Sequence, residues 1–351
     1  MGAGGAQRVA SILCNHWAEQ GHEVTLVTLE PQNTDAFYEL HKNITQEHLD
    51  IQGQSRNIIE ALKANVKRVQ MLRKIYKTKR IGRVVSFMPE NNINAALAAI
   101  GLNQKPTVIV SERSDPFFIP NQKIWRILRR LTYPLASVIV CQTEKAAQFF
   151  NYHKQVEVIA NPVTLPPDHY KADDNQITGP FIAALGRLGH EKGYDILLEA
   201  FARIRTNFEE YKLVIIGEGQ ERKALEKRAM NLGIQHHVLF LGQKSQPFSI
   251  LHKSGLFVMP SRFEGFPNAL CEAMAHGLPV IASENAAGAA SIFKHQDNCI
   301  IVPTDDIDAL ATAMENSLGN DALSQKLGNN AHKVIDDLAP SKICNLWDRL
   351  L

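Results

Sequence analysis

The chain has 351 residues, of which 45% are hydrophobic and 21% charged, and its formal net charge is +2. The length suits two ordinary domains, the composition supports globular cores rather than disorder, and the charge balance argues against a nucleic-acid binder. Five cysteines (Cys14, Cys141, Cys271, Cys299, Cys344) lie far apart with no C-x-x-C pair, which suits a reducing compartment and gives neither a disulfide framework nor a zinc site.

In chain order, residues 4–8 (GGAQR) read as a glycine-rich turn entering an amphipathic helix over 6–20, which Gly21 and His22 end. A buried strand is expected over 23–29 (EVTLVTL), then at the short apolar runs 84–88, 107–110, 137–141 and 156–159. Segments of helical length, such as 92–101 and 144–150, lie between them. The polar stretch 166–179 (PPDHYKADDNQITG) breaks the pattern and reads as a linker. The alternation restarts with strands at 181–185, 212–216, 238–241, 256–259 and 279–282, and with helices at 196–204, 220–232 and 268–276. Strands alternating with helices predict an α/β protein of two Rossmann-like, doubly wound domains, over 1–165 and 180–336, with 337–351 left as a final helix. Ligands of such folds sit at the carboxyl ends of the strands, and a cleft is expected between the halves.

The most specific segment is 260–280, PSRFEGFPNALCEAMAHGLPV. It follows a strand and holds Glu264 and Glu272 in an E-x7-E spacing. Glu264 is expected in the loop, and Glu272 in the first turn of a helix capped by Asn268 and closed by Gly277 and Pro279. The free N–H groups around Ala269 and Leu270, helped by the helix dipole, suit a diphosphate. Glu272 then faces ribose hydroxyls, and Glu264 the sugar beyond the phosphates. An E-x7-E spacing alone could decorate any strand–loop–helix unit. Here it is accompanied by S-R-F-E-G-F-P-N and A-x-G-x-P-V, so Phe266 and Asn268 join the candidate donor site.

Residues 184–201, ALGRLGHEKGYDILLEAF, place Arg187 just past a strand end and Lys192 five residues on. A guanidinium fork and an ammonium can share one diphosphate and stabilise charge on a departing nucleotide; solvated loop cations are the plainer reading. Gly217-Glu218-Gly219 is a G-x-G turn after a strand, weak by itself. Asp306-Ile307-Asp308 reads as a helix cap rather than a metal site.

Together, GGAQRV, NPV (161–163), LGRLGHEKG, IIGEG, FLG (240–242) and PSRFEGFPNALCEAMAHGLPVI resemble the retaining GT-B glycosyltransferases with an E-x7-E motif, the glycosyl transferases group 1. The resemblance is dense over about 155–335 and thinner before. It implies the GT-B fold, with a C-terminal helix (ICNLWDRLL) crossing back to the first domain. It also implies transfer of a sugar from a nucleotide diphosphate sugar, UDP-linked at the family level, with neither metal nor cofactor. Arg187 and Lys192 fall on the diphosphate, Glu272 on the ribose and Glu264 by the sugar, as catalytic (Glu264, Arg187, Lys192) and donor-binding residues. Gly4 and Gly5 lie under the phosphates from the opposite domain.

Two departures matter. The family has a strand before its G-G-A-x-R-V turn and this chain has only methionine, so a truncated start is expected. Residues 111–116 (SERSDP) lack the histidine that many members carry near the donor sugar, leaving Glu112, Arg113 or neither to face the cleft, and no named general base.

Residues 63–83 carry nine cations and no acid, with Val66, Val69, Leu72, Ile75 and Tyr76 at helical spacing, and 122–130 (QKIWRILRR) adds four cations and Trp125. Such helices suit an anionic membrane surface, although a solvated face on a core-packed helix fits too. No apolar run reaches the roughly 18–20 residues of a membrane span, and no basic-then-apolar leader opens the chain. The expected location is therefore cytoplasmic, peripheral on the inner face of the membrane. A polyprenyl-diphosphate-linked saccharide is the natural acceptor there, with Lys123, Arg126, Arg129 and Arg130 available to its diphosphate. Bacterial relatives that extend lipid-linked glycans are similar. A UDP-sugar 2-epimerase of the same fold and a non-catalytic nucleotide-sugar-binding subunit are the alternatives.

Overall fold

Strand and helix alternate over most of the chain as the apolar runs predict, while the polar strand Thr45–His48 and the strand Ile300–Val302 fall outside the expected ones. The computed structural model describes residues 5–31, 34, 36–51, 58–118, 122–164, 177–244, 246–288 and 290–351. Gly4 and most of the expected linker lie outside them. Internal contacts divide the chain into two units, residues 1–162 with 340–351, and residues 163–339.

The first unit holds two parallel sheets among the described residues: β1 (Thr25–Thr28) with β2 (Thr45–His48), and β3 (Arg83–Phe87), β4 (Thr107–Ser111), β5 (Val138–Cys141) and β6 (Val156–Val158) side by side in that order. Val108, Ile109 and Val110 of β4 and Ile139, Val140 and Cys141 of β5 are all buried, as central strands covered on both faces must be. The helix Ile58–Thr78 turns Val69, Leu72 and Tyr76 onto the core around Tyr133 and Phe150, while Val66 of the same expected stripe remains exposed. Lys63, Lys67, Lys74 and Lys77 therefore line the outward side of a core-packed helix, while Arg68 and Arg73 are half-buried and donate to the carbonyls of Ile51 and of Ala98 and Gly101. The N-terminal helix Gly5–Glu19 and the C-terminal helix Pro340–Asp348 are fastened by Asp348. Its carboxylate accepts from Trp17 Nε1 at 2.9 Å and meets His16 Nε2 at 2.9 Å.

Glu112 and Arg129, expected to face an acceptor, are instead buried against each other. Glu112 is 1% exposed and Arg129 0%. Arg129 Nε and Nη2 reach the two carboxylate oxygens at 3.0 and 2.8 Å, and the Tyr133 hydroxyl donates to the same carboxylate. Asn92 Nδ2 donates to the Tyr133 oxygen and to the Ser111 carbonyl. This network turns the helix Gln122–Thr132 so that Arg129 faces inward. Trp125 packs on the core, and Ile124, Ile127, Leu128 and Leu131 are left exposed.

Among the described residues the second unit holds one sheet of six parallel strands: β7 (Phe181–Leu185), β8 (Lys212–Ile216), β9 (Val238–Phe240), β10 (Leu256–Met259), β11 (Val280–Ser283) and β12 (Ile300–Val302). Their spatial order is β12-β11-β10-β7-β8-β9. The chain runs outward from β7 to β9, then returns to β10 on the other side of β7. The loops after β7 and β10 therefore diverge around a switch point, where open α/β sheets form their binding crevice. Leu197, Leu198 and Phe201 of the helix Tyr194–Ile204 and Leu310 and Met314 of the helix Ile307–Leu318 complete the core over Ile182, Leu213, Ile215 and Val258.

Glu112→Ala is expected to destabilise the protein by about 3–5 kcal/mol, because it leaves the Arg129 charge buried without its partner. Urea unfolding measures this. The double variant Glu112→Leu with Arg129→Met should recover most of the loss.

Candidate active site

At the switch point of the second unit, three loops meet backbone to backbone. A Cβ at Gly193 would lie 2.2 Å from the Pro260 carbonyl oxygen, and Gly193 also holds a φ of +65°. A Cβ at Gly217 would lie 2.0 Å from the Gly186 oxygen, at a φ of +145°. Any side chain at either position forces the loops apart. Gly217 also bridges to Gly242, and Leu188 N–H donates to the Glu218 carbonyl at 2.9 Å.

These contacts bring Lys192 and Glu264 together. Lys192 ends the short 3-10 turn His190–Lys192 after β7, and its Nζ lies 2.7 Å from Glu264 Oε1 in the loop after β10. Ser261 Oγ donates to the same oxygen at 2.7 Å. The side chains are 18% and 11% exposed, so the pair sits partly shielded where water screens it weakly. Ser283, which caps the helix Glu284–Ala287, donates to the Ser261 carbonyl and holds that loop from β11.

Arg187 stands outside this pair. Its side chain is 75% exposed, and its guanidinium grips Glu191 of the same turn, with Nε 3.1 Å from Oε1. Burial raises the Glu191 carboxyl, but a backbone N–H, and then the hydrogen bond and charge of Arg187, outweigh it and hold the group below its ordinary value. Glu218 is half exposed and pairs with Arg222 at 2.7 Å. Its backbone belongs to the site, while its carboxylate is engaged by the following helix.

The helix after the loop, Asn268–Ala275, starts at Asn268 itself. Pro267 precedes it and no side chain caps it, so the expected Asn268 cap is corrected. Glu272 accordingly lies in the second turn rather than the first, half-buried. Ala269 and Leu270 carry the second and third N–H groups of that helix, which find no acceptor within it. Leu270 and Phe266 are buried. Asp306 accepts from the Ala309 N–H at 2.9 Å and caps the helix Ile307–Leu318, as the D-x-D reading expects.

Arg262 was not among the residues singled out from the sequence, yet it joins the two key loops. Its guanidinium donates to both oxygens of Asp195 at 2.9 and 2.8 Å, to the His190 carbonyl at 2.7 Å, and meets Asp305 at 2.8 Å. Its own N–H donates to the Glu191 carbonyl at 2.8 Å. Arg262 and Asp195 are 67 residues apart. Each lies inside a motif quoted above, but nothing in either motif names the other as its partner.

The remaining candidates belong to the first unit. Gly5 opens the N-terminal helix. Lys123, Arg126 and Arg130 are exposed on the helix Gln122–Thr132. Arg113 packs its guanidinium over the Phe87 ring at 4.5 Å and donates to Asn161.

Arg262→Ala is expected to speed amide hydrogen exchange across 186–193 and 260–267 while leaving the first unit unchanged, with Arg262→Lys intermediate. The hydrogen bond and charge of Arg262 outweigh burial and hold the Asp195 carboxyl below its ordinary 3.8. That stabilisation is complete above 3.8 and is lost as pH falls through the lower folded value. Asp195→Asn should therefore flatten the acid limb of the stability–pH curve.

Two family profiles cover the chain: Glycosyl transferases group 1 over residues 170–334, and Glycosyltransferase Family 4 over residues 3–165. The chain is 30% identical, over 100% of its length and 96% of the relative's, to the GalNAc-alpha-(1->4)-GalNAc-alpha-(1->3)-diNAcBac-PP-undecaprenol alpha-1,4-N-acetyl-D-galactosaminyltransferase of Campylobacter jejuni. It is 27% identical to that organism's N-acetylgalactosamine-N,N'-diacetylbacillosaminyl-diphospho-undecaprenol 4-alpha-N-acetylgalactosaminyltransferase, covering 94% of this chain and 91% of the relative. Among solved structures, the sucrose-phosphate synthase of Thermosynechococcus elongatus shares the fold with a TM-score of 0.80 at 19% identity, over 96% of this chain and 90% of that one.

Proposed function

The chain belongs to the glycosyl transferases group 1, and from that premise we propose that it moves a hexose or N-acetylhexosamine from a UDP-sugar, with retention of configuration, onto a diphosphate-lipid-linked saccharide of the cell envelope. That it is a glycosyltransferase of the GT-B fold follows from the family and its relatives. The donor, the stereochemistry and the acceptor are our reading. The nucleotide follows the family expectation, and the acceptor class is supported by the names of the two Campylobacter relatives.

The observation that carries the reading is the Lys192–Glu264 pair at the switch point, 2.7 Å apart and partly shielded. In this reading Lys192 and Arg187 receive the diphosphate beside the N–H groups of Ala269 and Leu270. Glu272 accepts from the ribose hydroxyls. Glu264 orients Lys192 and faces the sugar. The acceptor oxygen bonds to the anomeric carbon as the bond to the leaving phosphate breaks, and that phosphate takes the acceptor proton. Charge growing on the phosphate is stabilised by Lys192, held in place by Glu264 before the reaction begins, and by Arg187 once it turns from Glu191 to the diphosphate.

The acceptor side rests on the helix Gln122–Thr132. Ile124, Ile127 and Leu131 are 59%, 59% and 69% exposed, with Lys123, Arg126 and Arg130 beside them. An apolar strip flanked by cations suits an anionic bilayer surface. Arg129, placed on that surface in the sequence reading, is withdrawn from it by Glu112. Among the described residues no helix is long and apolar enough to cross a membrane.

The first test is UDP release from a panel of UDP-sugars, with and without membrane lipid extract. Release that requires lipid is expected, and Lys192→Ala should lower it by about 10²–10³-fold. Release without lipid and with an isomerised sugar recovered would replace the reading by epimerisation. Sedimentation with vesicles containing anionic lipid should carry the protein down, and Ile127→Asp with Leu131→Asp should leave it in the supernatant.

A further inference from the structure

Arg113 lies two residues past β4, in the first unit. Its Nε and Nη2 are buried and meet no hydrogen-bond partner among the described residues, while Nη1 donates to Asn161. The guanidinium stacks over Phe87 at 4.5 Å and faces the Trp347 ring at 5.8 Å. Trp347 is itself fully buried, and its indole Nε1 is also without a partner. Phe87 ends β3, Asn161 follows β6, and Trp347 comes from the C-terminal helix. Three buried donors thus gather at the carboxyl edge of the four-stranded sheet, the edge at which parallel sheets hold ligands.

No carboxylate of the described residues neutralises this cation. Glu112 belongs to Arg129, and the Asp115 carboxylate accepts from the Phe117 N–H and lies 3.7 Å from Lys145. Burial pushes the Arg113 guanidinium down to about 9, the direction expected of a charge taken from water without a counter-ion. Buried donors are rarely left unpaired in folded proteins, and an unpaired buried charge is rarer still. Arg129 shows what such an edge can hold. Its Nε and Nη2 grip both oxygens of Glu112 side by side, and Arg113 presents the same two nitrogens.

We propose that Arg113 Nε and Nη2, with Trp347 Nε1, form an oxyanion site in the first unit that takes the diphosphate of the acceptor. This rests on the reading of the acceptor as a lipid-linked diphosphate. The ring faces of Phe87 and Trp347 fix the guanidinium plane, so the site selects a forked contact that lysine cannot make.

The test is calorimetric titration of the full chain, saturated with UDP to occupy the cations of the second unit, with inorganic phosphate, inorganic pyrophosphate and farnesyl diphosphate. Wild type should bind farnesyl diphosphate and pyrophosphate, and orthophosphate more weakly. Arg113→Gln should weaken diphosphate binding at least tenfold, Arg113→Lys should recover part of it, and UDP affinity should stay the same in both. Asn161→Asp, which sets a carboxylate beside the guanidinium, should raise the melting temperature and abolish diphosphate binding; it decides the matter if Arg113→Gln fails to fold. Diphosphate binding unchanged in Asn161→Asp or Arg113→Gln overturns the site. Orthophosphate binding as tight as farnesyl diphosphate overturns its assignment to the acceptor. If Arg113-dependent diphosphate binding persists but lipid extract never stimulates UDP release, the site stands and the transferase reading falls.

Discussion

The Arg262 guanidinium, shared among Asp195, Asp305 and the His190 carbonyl, is the constraint on which the candidate site depends. Parallel strands deliver their loops to one edge of a sheet, but that alone leaves two loops free to move independently. Arg262 sits two residues before Glu264 and reaches across to the turn that ends at Lys192. Through it the two loops become one surface, and the 2.7 Å pair between Lys192 and Glu264 is a consequence. Gly193 serves the same end by removing the atoms that would keep these two loops apart, and Gly217 does so between the loops after β7 and β8.

In the first unit a fully buried ion pair does comparable work by a different route. Arg129 lies on a helix whose remaining cations face outward, and Glu112 draws it into the core. Burying an ion pair is seldom a net gain in stability over a well-packed apolar contact, so its value lies in specificity. Here the pair sets the rotation of the helix. With Arg129 inward, Ile124, Ile127 and Leu131 have nowhere to go but the surface. An apolar helix face would ordinarily pack inward; here Trp125 and the Glu112–Arg129–Tyr133 network take the inward side instead.

Arg113 is the counterpart that lacks such a partner among the described residues. Two arginines sixteen positions apart, Arg129 buried and Arg113 half-buried with Nε and Nη2 covered, present the same edge of the guanidinium: one grips a carboxylate of the chain, and the other meets rings and an amide among the described residues. The contrast separates an internal bolt from the guanidinium that we propose as an anion site.

Much of this protein was legible in its sequence, because much of it is local. Periodicity marks a strand or helix within a window of ten residues, so the alternation, the E-x7-E loop, the turn bearing Arg187 and Lys192, and the Asp306 cap could all be read before any fold was seen. Helix boundaries were less secure: Asn268, expected to cap, is inside its helix, since Pro267 already ends the loop. What tertiary structure alone decided was partnership. Glu112 with Arg129, Arg262 with Asp195, and Lys192 with Glu264 are contacts between segments that strand order brings together. A charged side chain carries no record of which distant group will neutralise it. Its burial, and hence whether it serves as bolt or as binding site, is set by the packing of the whole unit.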